Sequence, residues 1–456
     1  MVARRTLSLL VMAGFVWLST MLHISSAEAQ QPVLTHGPLV GAVTESSAVV
    51  WIRVDSLAQV RVRYGADPDL ASYTETPQFA AAESSDYTAK IALAELSPLT
   101  VYYIDVLVND VPQLAAPYPR FETFAPQGEA LPFKFVVFSD FRRALDGGLP
   151  HAQTFASADA EEPNLALIGG DFDHTVGDNL EEKRQIFKNL YSFGNDMDDF
   201  VNLILRHYPV AHVWDDHDYG WNNGDKLYPK KDISLAVLDE YFPVYPMSQY
   251  GCWQSFSYGN ADFFLLDSRS QRDPNTDPDG SDKSMLDGDN LGQPGQLQWL
   301  LRGLDESSAR WKFVKTPSVF NGTASKPDSW SAFQYERQLI LDFIEANDIV
   351  GVVMLSGDFH FGGIDDGGNS GVPEIMVPPA NYAGCRRALG EKYGYWSEGV
   401  YSTAEVQGTC WGYALVTVLT NPDRVVLEVK DAEGDTRIRS TICAYRSHVP
   451  LVVRGI

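Results

Sequence analysis

Four short apolar runs in this chain each break off into carboxylates and imidazoles. The run 133–138 is followed by Ser139-Asp140-Phe141-Arg142, and 165–168 by Gly169-Gly170-Asp171-Phe172-Asp173-His174. The run 210–214 leads into Asp215-Asp216-His217-Asp218, and 350–355 into Ser356-Gly357-Asp358-Phe359-His360. With further strand-like runs at 263–266 and 312–315, and helical stretches at 181–206, 296–308 and 333–347, the pattern predicts an α/β domain with helix-covered sheets. In open α/β sheets ligands bind beyond the carboxyl ends of strands, so these side chains are expected to meet in one crevice.

A lone Asp after a strand is usually a turn or helix-cap residue. Consecutive acids and imidazoles after a buried strand are different, because they repel one another and lose solvation unless a cation or an Arg offsets the cost. Carboxylate plus imidazole without thiolate is a donor set for zinc, iron, manganese or calcium.

Residues 32–125 read as all-β, with β-branched and aromatic runs at 48–54, 59–64 and 100–106 separated by Asp, Gly and Pro. Residues 93–103 resemble the corner of a fibronectin type III-like sandwich. The Pro- and Gly-containing stretch 125–132 reads as a linker. At the start, Arg4 and Arg5 precede an apolar run from Leu7 to Leu22, and Ala27-Glu28-Ala29 fits a cleavage site, so residues 1–29 read as a signal peptide. The Arg pair suits a twin-arginine route as well as an ordinary export leader. The expected destination is periplasmic, extracellular or cell-surface, with no later membrane span.

Net charge bears on partners. With 35 Lys plus Arg against 60 Asp plus Glu, the chain carries −25, which argues against nucleic acid as a main partner and suits cations. Cys252, Cys385, Cys410 and Cys443 lack C-x-x-C spacing, so structural bridges or buried thiols are expected rather than a zinc site.

The ordered segments GGDFDH, WDDHDYGWNN, FFLLDSRSQRDP, LGQPGQLQWL and SGDFH resemble the alkaline phosphatase D (PhoD) family of metallophosphatases. The resemblance spans essentially the whole chain after the leader. It implies two domains: an N-terminal all-β sandwich over 30–126 and a four-layer αββα metallophosphatase domain over 131–456. It also implies hydrolysis of phosphate esters by a metal-bound hydroxide, with two or more metals bridged by Asp171. Asp140 and His174 would complete one metal with Asp358 or His360. Asp216 and His217 would serve the second metal or the phosphate, with Asp215 an alternative ligand and Asn222 and Asn223 holding the loop. Phosphodiesterase and phospholipase-D-like activities also belong to such a family. The rival from another class is a calcium-binding surface protein with a relic site.

Two departures affect the metal. Where many members carry Cys this chain has Asp140, and where they carry Tyr it has His174, so iron is less strongly specified and zinc, manganese or a mixture with calcium enters. Either Asp173 or His174 can point inward. His217 or His360 is the candidate acid for the leaving group. Arg142 is the better candidate for gripping phosphoryl oxygens, while Arg269 and Arg272, beside Asp267 and Asp273, read as ion-paired. Asn275, Asp277 and Asp279 match the opening of a calcium loop whose twelfth position is Leu286 rather than Glu, so a solvated acidic loop competes with it. Trp214, Tyr219 and Trp253 read as core, whereas Trp221, among Gly and Asn, is a candidate pocket residue.

Overall fold

Alternation decides where each strand of the main domain packs. In Ala261–Leu265, Trp311–Lys315 and Val352–Ser356, the residues Phe263, Phe313, Val353 and Leu355 face one buried cluster, while Phe264, Val314, Val352 and Met354 face another. Strands that bury both faces must lie inside a layered structure. The computed structural model, which describes residues 31–141, 153–172, 174, 177–191, 197–287, 295–382, 384–388, 390–404 and 407–443, shows that layering. The leader segment 1–29, Arg142 and Asp173 lie outside the described residues.

Two mixed sheets pack face to face. One has nine strands in the order Thr436–Cys443, Asp423–Asp431, Gly412–Thr420, Phe133–Phe138, Leu165–Ile168, Val210–His212, Leu34–Gly41, Ala48–Val54, Thr88–Leu93. The other has seven, beginning Gln254–Tyr258, Ala261–Leu265, Trp311–Lys315, Val352–Ser356. Aromatic rings seal the interface between them: Phe135 lies 4.9 Å from Phe313 and 5.2 Å from Phe263, and Phe133 stacks on Tyr258 at 4.4 Å. Helices Gln296–Glu306 and Gln334–Ala346 cover the outer face of the second sheet through Leu300, Leu304, Ile340 and Ile344. Helices Thr154–Ala160, Leu180–Leu190 and Lys231–Tyr241 bury Phe155, Phe187 and Leu238 into the cluster of the first sheet. The main domain is an αββα sandwich.

The N-terminal all-β part contributes a six-stranded sheet of its own and three strands to the nine-stranded one. The join is a single parallel register pair, Gly41 with Val210. A Cβ at Gly41 would lie 2.5 Å from the Pro243 carbonyl, so this close approach of backbones needs glycine. A polar cluster reinforces the join: Asp86 accepts from Arg53 at 3.1 Å, from Lys188 at 3.2 Å and from the Tyr241 hydroxyl. Lys188 and Tyr241 sit on the helices that follow the two loops bearing Asp171 and Asp216.

One expectation changes, one region went unread, and the cysteine expectation is met except at Cys443. The helix expected over 181–206 is Leu180–Leu190 followed by a π-helical turn, Phe200–Leu205, with Gly194 and Asn195 between them in sequence. Strands Gly412–Thr420, Asp423–Asp431 and Thr436–Cys443 went unread although they complete the edge of the first sheet. Of the four cysteines, Cys385 and Cys410 form a disulfide, Cys252 is a buried thiol and Cys443 an exposed one. No helix among the described residues is long and apolar enough to cross a membrane.

Candidate metal centre

The parallel strands Phe133–Phe138, Leu165–Ile168 and Val210–His212 end at Asp140, Asp171 and Asp215–Asp216, and Val352–Ser356 ends at Asp358 and His360. The two sheets meet here: Ser139 bridges to Pro379, and its carbonyl accepts the Ala380 amide at 2.8 Å. The Gly169-Gly170 pair makes the convergence sterically feasible. A Cβ on Gly169 would meet Lys315 Cε at 2.3 Å, and one on Gly170, whose φ is +91°, would meet the Asp215 amide nitrogen at 2.3 Å.

Three groups of donors result, each with ligand atoms within 4.8 Å of one another: Asp140, Asp171, His174 and His360; Asp171, Asp216 and His217; and Asp215, Asp216 and Asp358. Asp171 belongs to the first two groups. The backbone at Asp140, Asp171, Asp358 and His360 is left-handed, with φ of +56°, +55°, +69° and +57°. Non-glycine residues held there cost on the order of 1–3 kcal/mol each and persist only where the surroundings enforce them. Here the Phe141 amide donates to the Asp171 carbonyl at 2.7 Å and the Arg386 amide to the His360 carbonyl at 3.0 Å.

The electrostatics call for a cation. Burial, then Asp216, Asp215, Asp140 and Asp218, push the Asp171 carboxyl well above the usual range. Burial would raise Asp140 too, but the His360 imidazole, with Nε2 3.2 Å from Asp140 Oδ1, holds it below. Burial and the neighbouring His217 lower His174 to about 3, so its imidazole is neutral. Both nitrogens of His174, Nδ1 of His217, Oδ1 of Asp216 and Oδ2 of Asp215 are buried without a hydrogen-bond partner. Unpartnered buried polar atoms are costly, and metal ions among them would remove the cost. The donors therefore fit the metals expected. His360 Nδ1 faces the Gly384 carbonyl at 3.1 Å, which orients the ring and leaves Nε2 for the centre.

The third group is already partly neutralised. Arg269, fully buried, donates through Nε to Asp215 and through Nη1 to Asp328 at 2.9 Å, and its Nη2 lies 3.8 Å from Asp358. Arg272 pairs with Asp328 at 2.6 Å. Both arginines are thus ion-paired, and Asp215, weighed as a ligand, is oriented by Arg269. Lys326 Nζ lies 3.2 Å from Asp358 Oδ2. The Asn223 backbone amide donates to Asp216 Oδ2.

The candidate calcium loop is occupied by a lysine. Lys283 Nζ donates to the carbonyls of Asn275 at 3.1 Å, Asp277 at 2.8 Å and Ala332 at 2.8 Å. Asn275 turns its amide to Asp328, and the Asp279 carboxylate accepts the Tyr335 amide at 3.2 Å. A calcium loop of this type uses the side chains at these positions; here those of Asn275 and Asp279 are turned to Asp328 and Tyr335, and Lys283 brings a positive charge to the backbone. Trp214, Tyr219 and Trp253 are buried, with Trp214 Nε1 donating to Asp267 at 2.8 Å, while Trp221 is half-exposed.

Sequence reading missed several residues here. Tyr382 stacks on the His174 imidazole at 3.8 Å. Asp328 and Lys326 sit well beyond the end of the strand Trp311–Lys315, in the long loop that follows it, and Lys315 lies at that strand's end among Phe and Val. Only Lys315 carried a signal, a buried cation at the carboxyl end of a central strand.

Comparison with known proteins places these features in context. A family model described as PhoD-like phosphatase matches residues 171–367, and one described as PhoD-like phosphatase, N-terminal domain, matches 19–124. Alkaline phosphatase D of Bacillus subtilis (strain 168) is 30% identical over a match covering 35% of this chain and 33% of the relative, about a third of its length. The solved structure of PhoD superposes with a TM-score of 0.69 at 19% identity, covering 90% of this chain and 92% of that one. Purple acid phosphatase PPD1 from yellow lupin (Lupinus luteus) seeds gives 0.59 at 14% identity, covering 91% and 74%. At these identities both structures speak for the fold.

Proposed function

The chain belongs to the PhoD-like phosphatase family, and from that premise we propose that it is an exported, metal-dependent hydrolase of phosphate esters. The observation that carries the reading is Asp171, shared by two donor groups whose buried atoms lack partners. Asp140, Asp171, His174 and His360 would hold one metal, and Asp171, Asp216 and His217 a second. Oxygen and nitrogen donors suit zinc, manganese or iron, with calcium for an oxygen-rich position. Bound there, such ions supply Lewis acidity, lowering the pKa of water from about 16 to near 7 and offsetting charge on phosphoryl oxygens.

The protein's own groups complete the chemistry. His217, half-buried with an unpartnered Nδ1, serves either as a donor to the second metal or as the acid that gives a proton to the leaving oxygen, since that one nitrogen cannot do both. His360 is held by Gly384 and turned to Asp140, which fits a ligand better than an acid. Arg269 keeps Asp215 and Asp358 aligned without reaching solvent. Arg142 remains a proposed grip on phosphate. The leader segment 1–29, with Arg4 and Arg5 for a twin-arginine or ordinary route, supports export, and the Cys385–Cys410 disulfide suits an oxidising compartment.

A diesterase is the second reading, favoured by half-exposed Trp221, which lies two residues from the Asn223 amide that holds Asp216. The test is Asp171→Asn, assayed with a chromogenic monoester and the matching diester beside metal analysis. Loss of hydrolysis with at least one metal is expected; an unchanged rate would end the reading.

A further inference from the structure

We propose that Lys326 grips a non-bridging phosphoryl oxygen and thereby makes the site prefer dianionic monoesters to monoanionic diesters. The inference rests on the phosphohydrolase reading and deepens it.

Arg269 and Lys326 contact the group formed by Asp215, Asp216 and Asp358, Arg272 stands one step back on Asp328, and the three cations differ in access. Arg269 and Arg272 have fully buried side chains; their bonded donors go to Asp215, Asp328 and the Gly224 carbonyl, while Arg269 Nη2 and Arg272 Nη1 are buried without a hydrogen-bond partner. Lys326 keeps 25% of its side chain exposed while its partner Asp358 keeps 6%, so the lysine lies toward the solvent side of the carboxylate. An ammonium has three donors, and Asp358 engages one of them at 3.2 Å. A ligand anion reaching the centre from solvent would meet that ammonium before the buried guanidiniums.

The backbone that carries this side chain is also anchored. Ser329 and Ser331 hydroxyls donate to the Lys326 carbonyl at 2.8 and 3.0 Å, and its amide donates to the Lys392 carbonyl at 3.2 Å. Nζ stands 4.5 Å from the centre of the Phe359 ring, between the ligand candidates Asp358 and His360 in sequence. A fixed cation with free donors costs little reorganisation when an oxyanion arrives. Its attraction scales with ligand charge, so a monoester dianion gains about twice what a diester monoanion gains. Lys315, another cation near the ligands among the described residues, is 1% exposed beneath Gly169 and is out of reach of a substrate.

The experiment compares the full chain, purified with its metals, with Lys326→Met and Lys326→Arg. It measures kcat and KM for a monoester and its matching diester, inorganic phosphate binding by calorimetry, metal content and thermal melting. A lost hydrogen bond to a charged group predicts a roughly 10-fold or larger rise in monoester KM and an equal weakening of phosphate binding in Lys326→Met. Diester kcat/KM should stay within about threefold, metal content should be unchanged, and Lys326→Arg should recover most of the phosphate affinity. Equal losses on both esters, metal loss, or unaltered phosphate binding would overturn the proposal. A wild-type protein that cleaves neither ester fails the hydrolase reading alone if phosphate still binds in a Lys326-dependent way; if phosphate does not bind, both fall.

Discussion

Asp218 accepts the backbone amide of Asp171 at 2.7 Å. The same oxygen accepts the Asp215 amide at 3.0 Å, and the other oxygen accepts the Phe172 amide at 3.0 Å. One carboxylate thus staples together the two loops that bring Asp171 and Asp216 within ligand distance. Burial raises the Asp218 carboxyl to about 6, and the three amides oppose that rise.

Asp218→Asn should therefore weaken the centre without touching a ligand. An amide offers one acceptor oxygen where the carboxylate offers two, so at least one of the three backbone amides loses its acceptor and faces an NH2 donor instead. Outer-shell changes of this kind typically cost 10–100-fold in metal affinity. Titration with a chelator should strip metal from the variant at about one-tenth the wild-type concentration or less. Identical chelator curves would show that the loops hold their positions without it.

Asp328→Asn addresses the arginine pair. Asp328 receives Arg269 at 2.9 Å and Arg272 at 2.6 Å, and these cations hold its carboxyl well below the usual range against the opposing effect of burial. Removing one partner from a buried ion pair strands the other charge at a cost of about 3–5 kcal/mol. Denaturant unfolding should show a loss of that size, and a change under about 1 kcal/mol would place the arginines' support elsewhere.

Glu336 carries a pH dependence. It is 3% exposed, accepts the Met285 amide at 2.9 Å and the Leu286 amide at 3.2 Å, and burial raises its carboxyl to about 7. Below about pH 4.5 both folded and unfolded forms are protonated. As pH rises toward 7 the unfolded form ionises first, so stability falls, by roughly 3 kcal/mol from this group. Glu336→Gln should lose a hydrogen bond at all pH values but flatten this decline. Parallel stability profiles for variant and wild type between pH 4 and 8 would remove Glu336 as its source.

How much of this was legible differs by element. The strand ends were readable because an apolar run that stops at Asp or His leaves a chemical mark, as at Asp171 after Leu165–Ile168. The αββα layering followed from the PhoD resemblance together with strand and helix alternation. The join of Gly41 to Val210 had no such mark, since pairing of residues 169 positions apart depends on which backbones meet rather than on local pattern. Asp328 and Lys326 were hidden for the same reason: they act from a loop, and their partners Arg269 and Asp358 lie far away in sequence. The Asn275–Asp279 segment left calcium and a solvated acidic loop in competition. Its local spacing suited calcium, but Lys283, eight residues beyond Asn275, supplies the positive charge.

Cleavage of a chromogenic phosphate monoester and its diester by the purified protein, before and after chelation and after metal is restored, tests the central claim most directly. The account predicts hydrolysis that chelation abolishes and metal restores. Hydrolysis indifferent to complete metal removal, or none by folded protein with its metals bound, would contradict it.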